Sequence, residues 1–95
     1  MARAELQQLY QELCSTAFRF VGRGEYELQD IYATVRSTYR RLCDDNFLCS
    51  ENCARGGQTP EWWHVVRKAL DRLRVTSDSV RNGSRRGRWV LRRDA

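Results

Sequence analysis

Three cysteines and the single histidine of this chain are residue types that could bind a metal ion. Cys43, Cys49 and Cys53 follow the spacing C-x5-C-x3-C, and His64 comes after ten further residues. Three thiolates and one imidazole form a tetrahedral ligand set for zinc, so a structural zinc on these four residues is one prediction. The C-x2-C pair typical of zinc knuckles is missing, however. Free cysteines in a reducing cytosol, with no cofactor required, are the favoured interpretation.

Basic residues form a second group, and their chemistry is the binding of anions. Residues 1–61 contain seven Arg and nine acidic residues, a net charge of −2, whereas residues 62–95 contain ten Arg or Lys and three acidic residues, a net charge of +7. This concentration of charge predicts an anionic partner at one face. Sixteen of the seventeen cations are arginines, whose guanidinium groups can form paired hydrogen bonds to phosphate or guanine. A GC-rich genome would also favour arginine over lysine.

A catalytic site is not predicted. The sequence contains one histidine and no glycine-rich phosphate loop, and the Asp44-Asp45 pair lies in a turn-like segment where carboxylates usually face solvent. A nucleophile with a base and a third, orienting group cannot be identified. We therefore expect no intrinsic enzymatic activity in this chain.

The elements that would position these residues begin with three helices. Apolar residues at helical spacing predict a first helix over residues 3–20 and a second over residues 28–42. Residues 43–60 lose this periodicity, and so long a loop is expected to have a local tether or a role. Thr59-Pro60-Glu61 is a helix start with Thr as the N-cap, and a third helix follows to residue 74.

The third helix has two faces of different chemistry. Its apolar stripe, which we expect to lie in the core, consists of Trp62, Val66, Ala69 and Leu73. Its opposite side carries His64, Arg67, Lys68, Asp71 and Arg72, with Trp63 at the boundary. The polar side is either a solvated surface or a surface that contacts an anionic partner.

After Leu73 the pattern changes to the period of two that is typical of strands. Residues 78–81 and 87–92 are strand-like and flank Asn82-Gly83, a pair that suits a hairpin turn. Alternation near residues 25–28 permits one further, very short strand. Three helices and a hairpin form the layout of a winged helix-turn-helix. The sequence thus predicts one mainly α domain over residues 1–95, with its core at about residues 3–92 and a small β-hairpin as the wing.

In a helix-turn-helix, the N-terminal part of the second helix of the motif contacts base edges in the major groove. The corresponding candidates here are Gln58, Thr59, Trp63, His64, Arg67, Lys68 and Arg72. The candidates on the hairpin, which would contact the DNA backbone or the minor groove, are Arg81, Arg85, Arg86 and Arg88. If His64 binds zinc, the same nitrogen cannot also contact a base.

Three motifs carry a resemblance to a known family. In order, they are Tyr26-x-Leu28-x-x-Ile31-Tyr32, Pro60-Glu61-Trp62-Trp63-His64-x-Val66-Arg67-x-Ala69-Leu70-x-x-Leu73 and Arg86-Gly87-Arg88-Trp89-x-Leu91. Over about residues 25–92 the chain resembles the winged-helix DNA-recognition modules of modification-dependent (type IV) restriction endonucleases of the HNH and Mrr types. It is also similar to the winged helix of methyladenine-dependent restriction enzymes.

This resemblance implies recognition of duplex DNA, methylated or otherwise modified, on behalf of a fused or separate nuclease domain. The helix over residues 60–74 would enter the major groove, and the wing would touch the backbone. Trp63 is the aromatic residue we expect to contact a modified base, with Trp89 second. The alternative is that both pack on the core, and for Trp89 this is the favoured interpretation. The cysteine-rich loop departs from these modules, so the zinc prediction does not depend on them.

Two other functions fit the same residues. One is a winged-helix transcriptional regulator, which would normally bind a palindrome as a dimer. The other is a zinc-stabilised protein-interaction domain whose arginines bind an acidic protein. The sequence has no apolar run of about 18 residues and begins without an apolar stretch, so we expect no membrane span and a cytoplasmic location.

Overall fold

A computed structural model describes residues 2–48 and 59–92 of the 95-residue chain. Its elements are α1 (Ala2–Thr16), β1 (Gly24–Glu27), α2 (Leu28–Thr38), a short 3-10 helix (Arg40–Leu42), α3 (Glu61–Thr76), β2 (Val80–Asn82) and β3 (Arg88–Leu91). The strands form one antiparallel sheet in the order β1-β3-β2. The described residues therefore form three α-helices, one short 3-10 helix and a three-stranded sheet, of which the predicted hairpin forms two strands.

The core lies between the three helices and the inner face of the sheet. Its largest fully buried side chains are Phe18, Leu9, Leu13, Ile31, Leu70, Val35, Val66 and Val80. The predicted apolar stripe of α3 is confirmed, since Trp62, Val66, Ala69 and Leu73 are all buried. None of the helices in the described ranges is long and apolar enough to cross a lipid bilayer.

The first helix ends four residues before its predicted end. Ala17 and Phe18 follow Thr16 with left-handed φ angles of 52° and 60°, which break the helix. This conformation costs roughly 1–2 kcal/mol for a residue with a side chain. Burial of the Phe18 ring offsets that cost, because the ring is completely removed from solvent. The helical spacing of Phe20 with Leu13 and Ala17 was therefore not a sign of continued helix.

The second helix is also shorter than predicted. It ends at Thr38, Tyr39 has a non-helical backbone, and the chain continues as the 3-10 helix over Arg40–Leu42. Cys43 follows and is buried. The third helix begins at Glu61, one residue later than predicted, and Pro60 rather than Thr59 occupies the N-cap position.

The hairpin turn differs from the predicted Asn-Gly turn. Asn82 lies in β2, and residues 83–87 form the turn, in which Gly87 supplies the left-handed φ of 86°. Gly83 is needed for a different reason, because the backbone of Arg88 on β3 passes very close to it. Its N–H donates to the carbonyl oxygen of Arg88 at 2.9 Å, and a Cβ on Gly83 would lie 2.7 Å from the Arg88 carbonyl carbon.

Gly83→Ala should destabilise the domain by about 1–3 kcal/mol, because the added methyl group would collide with the backbone of β3. Gly87→Asn is the matched control, since the space around Gly87 is open and Asn tolerates a left-handed φ. Urea unfolding monitored by circular dichroism would measure both. Equal losses of stability in the two variants would contradict the close approach at Gly83.

Candidate nucleic-acid interface

The outward face of α3 carries the charged residues of the third helix. Its exposed members are Arg67, Lys68, Asp71 and Arg72, and His64 is half-buried beside them. These residues lie opposite the buried stripe, as the sequence predicts. Thr59 is half-buried just before the helix, and Gln58 lies outside the described residues.

The basic side chains of α3 differ in the contacts that they make within the domain. Arg74 pairs with Asp71 at 2.6 Å, and the Lys68 ammonium lies 5.3 Å from the centre of the Tyr10 ring on α1. Burial raises the pKa of Tyr10, and the neighbouring Arg72 opposes that rise. Within residues 2–48 and 59–92, Arg67 has no hydrogen bond, ion pair or ring contact. Arg67 is therefore the cation of this face that is most available to an external anion.

An aromatic cluster fixes the start of α3 against α2. The Trp63 ring stacks on Tyr32 with a centroid distance of 4.6 Å and an interplanar angle of 13°. Trp62 meets both rings edge-on, at 5.7 Å from Tyr32 and 6.3 Å from Trp63. Trp63 thus lies at the boundary of the core, as predicted, but Tyr32 already covers one face of its ring.

Asp45 connects the loop after α2 to both helices. Its Oδ1 accepts a hydrogen bond from Trp62 Nε1 at 2.9 Å, and its Oδ2 pairs with Arg36 at 2.7 Å. The expectation that both carboxylates of Asp44-Asp45 face solvent is therefore wrong for Asp45. The tether expected for the long loop is present at this residue. Beside it, a cleft of about 320 Å³ lies between α2 and the start of α3.

Two carboxylates of β1 engage the arginines of the hairpin. Arg88 is paired through Nε with Glu25 at 2.7 Å and through a terminal nitrogen with Glu27 at 2.8 Å. Arg85 pairs with the same oxygen of Glu27. Register explains the contact, because Glu27 lies directly opposite Arg88 and Glu25 lies on the same face two residues away. Arg85 and Arg88, which the sequence predicts to contact DNA, are therefore both paired with carboxylates in the unbound domain.

The sequence alone did not predict that Glu25 and Glu27 pair with the hairpin, because 58 to 63 positions separate them from their partners. A signal was present nonetheless. Glu25 and Glu27 alternate with Tyr26, so a strand there places two like charges on one face. A nearby cation offsets the repulsion between two such carboxylates, and Arg88 of β3 supplies it.

Glu25 also fixes the tip of the hairpin. Its Oε2 accepts hydrogen bonds from the backbone N–H and the hydroxyl of Ser84, at 2.9 and 2.6 Å. These bonds, followed by the one from Arg88, lower the pKa of Glu25 from 4.5 to about 2. The turn is therefore held against β1 while Glu25 is ionised.

The remaining hairpin candidates are more open. Arg86 is exposed and has no partner among the residues that the structure describes. Arg81 is exposed, with its nearest ion-pair oxygen on Asp78 at 3.6 Å. Trp89 is half-buried and packs against the core, so it does not lie on the outer face with the arginines.

Cys43 is a core residue in the described structure. Burial, followed by the nearby Asp45, raises the pKa of its thiol to about 12, which opposes the thiolate that zinc would need. Cys49 and Cys53 lie outside the described residues, and no three metal-binding side chains cluster within the described ranges. The zinc site of Cys43, Cys49, Cys53 and His64 therefore stays a prediction. Cys14 is half-buried against the core.

Comparisons with known proteins identify no relative of this chain. It matches no family model, no curated protein and no solved structure. A functional assignment therefore depends on the residues and the geometry described above.

The Ser84 amide proton should report the ionisation of Glu25. Because the folded pKa of Glu25 is lowered, its contacts stabilise the hairpin fully above pH 4.5 and are lost as the pH falls towards about 2. An NMR titration should show the Ser84 amide shift changing with a midpoint near that lower value. Glu25→Gln should abolish the change. A midpoint at the ordinary value of 4.5 would contradict the hydrogen bonds to Ser84.

Proposed function

We propose that this domain is a winged helix that binds double-stranded DNA, with α3 in the major groove and the β2–β3 hairpin as a wing on the sugar–phosphate backbone. The observation that carries the proposal is the outward face of α3. It presents Arg67 without an internal partner among the described residues, and the opposite face of the same helix is buried.

The order of the elements supports the winged-helix assignment. A winged helix has a helix, a strand, two further helices and a hairpin, and its first strand pairs with the last strand of the wing. In this chain α1, β1, α2, α3, β2 and β3 follow that order, and β3 lies between β1 and β2. The long connection between α2 and α3 departs from the short turn of a simple helix-turn-helix.

Arg67 suits the role of a base contact. It lies in the second turn of α3, and base contacts in helix-turn-helix proteins come from the N-terminal part of the recognition helix. A guanidinium can donate two hydrogen bonds to the O6 and N7 atoms of guanine. The open arginines of the wing, Arg81 and Arg86, suit phosphate contacts that position the domain without reading sequence.

The proposal extends to modified DNA through Trp63. A methyl group on a base is a small apolar patch in the groove, and an indole can contact it. The Tyr32 ring packs against one face of Trp63 and restricts its rotamers, so little side-chain entropy would be lost on contact with a base. The resemblance to restriction modules adds that this recognition would serve a nuclease domain, fused or separate.

The domain should bind one modified duplex at least tenfold more tightly than the unmodified duplex, a discrimination of about 1.4 kcal/mol. The measurement is a fluorescence titration at about 0.15 M salt, near physiological ionic strength. Matched duplexes would be unmodified or carry methyladenine, methylcytosine or a phosphorothioate linkage. Equal, salt-sensitive binding to all of them would indicate a general DNA-binding domain. Absence of binding would overturn the proposal in favour of an acidic protein partner.

Arg67→Ala should weaken duplex binding by about 1–3 kcal/mol and relax the preference at one base pair. Arg74→Ala is the control, because it removes the same charge from a later turn of α3 where Asp71 already pairs with the arginine. Affinities for the preferred duplex and for single-base variants would be measured at one salt concentration. Equal effects of the two substitutions would remove Arg67 from the base-reading role.

A further inference from the structure

Four charged side chains meet at the junction of the wing with β1, and they are not equally constrained. Glu25 and Glu27 come from β1, Arg88 from β3, and Arg85 from the turn. Their formal charges cancel in the unbound domain. The wing therefore presents less positive charge to a DNA backbone than its sequence indicates.

Arg88 is fixed in this network. It bonds Glu25 and Glu27 through two nitrogens, and its third nitrogen reaches the backbone oxygen of Glu25 at 3.4 Å. Three quarters of its side chain is removed from solvent, since only 25% is exposed. Moving the Arg88 side chain would leave both carboxylates without this partner and would remove the side-chain bonds that it makes from β3 to β1, so its role is structural.

Arg85 is held far more weakly. Its side chain is 68% exposed, and it is paired through one terminal nitrogen with Glu27. The Glu27 oxygen that it contacts is the one that Arg88 already occupies. Glu27 would therefore keep a partner if Arg85 left, and the departure would require no change in the sheet. An exposed ion pair of this kind contributes little to stability, and a contact with a DNA phosphate can match it.

We propose that Glu27 occupies Arg85 in the unbound domain as an intramolecular substitute for a DNA phosphate, and that Arg85 exchanges from Glu27 to phosphate when the wing meets the duplex. This inference rests on the proposed DNA binding. The exchange lowers the affinity for every duplex by the same factor, because the phosphate contact carries no sequence information. Glu27 thus weakens binding to specific and non-specific duplexes alike, while the base contacts of α3 are unaffected.

The test combines Glu27→Gln and Arg85→Gln in a double-mutant cycle, with affinity measured on one duplex at several salt concentrations. Arg85→Gln should reduce the slope of log affinity against log salt by about 0.9, the value for one phosphate contact. Glu27→Gln should tighten binding about two- to fivefold, the factor for one exposed ion pair. That gain should shrink to the level of the control when Arg85 is also replaced.

Glu5→Gln on α1 is the charge-matched control, because it removes one negative charge away from the sheet. Both substitutions at the wing should leave the domain folded, since Arg85 is exposed and the amide oxygen introduced by Glu27→Gln can still accept a hydrogen bond from Arg88; circular dichroism would verify this. An unchanged salt slope in Arg85→Gln, or an equal gain from Glu27→Gln with and without Arg85, would overturn the exchange. If the wild-type domain bound no duplex at all, the DNA-binding proposal itself would fail.

Discussion

Pairing of β1 with β3 is the constraint on which the outer surface of this domain depends. The pairing places Glu27 directly opposite Arg88 and brings Glu25 to the same face. It joins the strand that precedes α2 to a strand that follows α3, so one sheet connects the N-terminal and C-terminal parts of the domain. Because Glu25 also accepts hydrogen bonds from Ser84, the tip of the hairpin is positioned by the same strand. The hairpin is therefore one part of a sheet and not an independent arm.

The electrostatic surface that results differs from the one that the sequence suggests. The C-terminal third of the chain has a large excess of arginine, but folding brings carboxylates from the N-terminal part into contact with two of those side chains, Arg85 and Arg88. Arg88 becomes a structural residue, and Arg85 is occupied in the unbound state. Arg67 and Arg86 are exposed and have no partner among the described residues, so both can contact an external anion. Binding of an anionic partner would then depend on a few cations at defined places and not on a diffuse basic surface.

The start of α3 is held in a comparable way, by aromatic and polar contacts together. Stacking of Trp63 on Tyr32 and the hydrogen bond from Trp62 to Asp45 join α3 to α2 and to the loop between them. Pairing of Asp45 with Arg36 completes the connection. A helix that must present side chains to a groove within a fraction of an ångström needs such support, because small displacements weaken directional hydrogen bonds. These contacts therefore set the position of the first turn of α3 relative to α2.

The sequence by itself determined the three helices, the buried stripe of α3 and the existence of a hairpin, because each follows from periodicity or turn chemistry within a few residues. It did not determine where α1 and α2 end. At the end of α1, burial of the Phe18 side chain in the core offsets the cost of its left-handed φ angle. Nor did it identify Arg88 as a structural residue. Only the tertiary structure decided that, because an ion pair between residues about sixty positions apart forms only when distant strands pair in one register over the core.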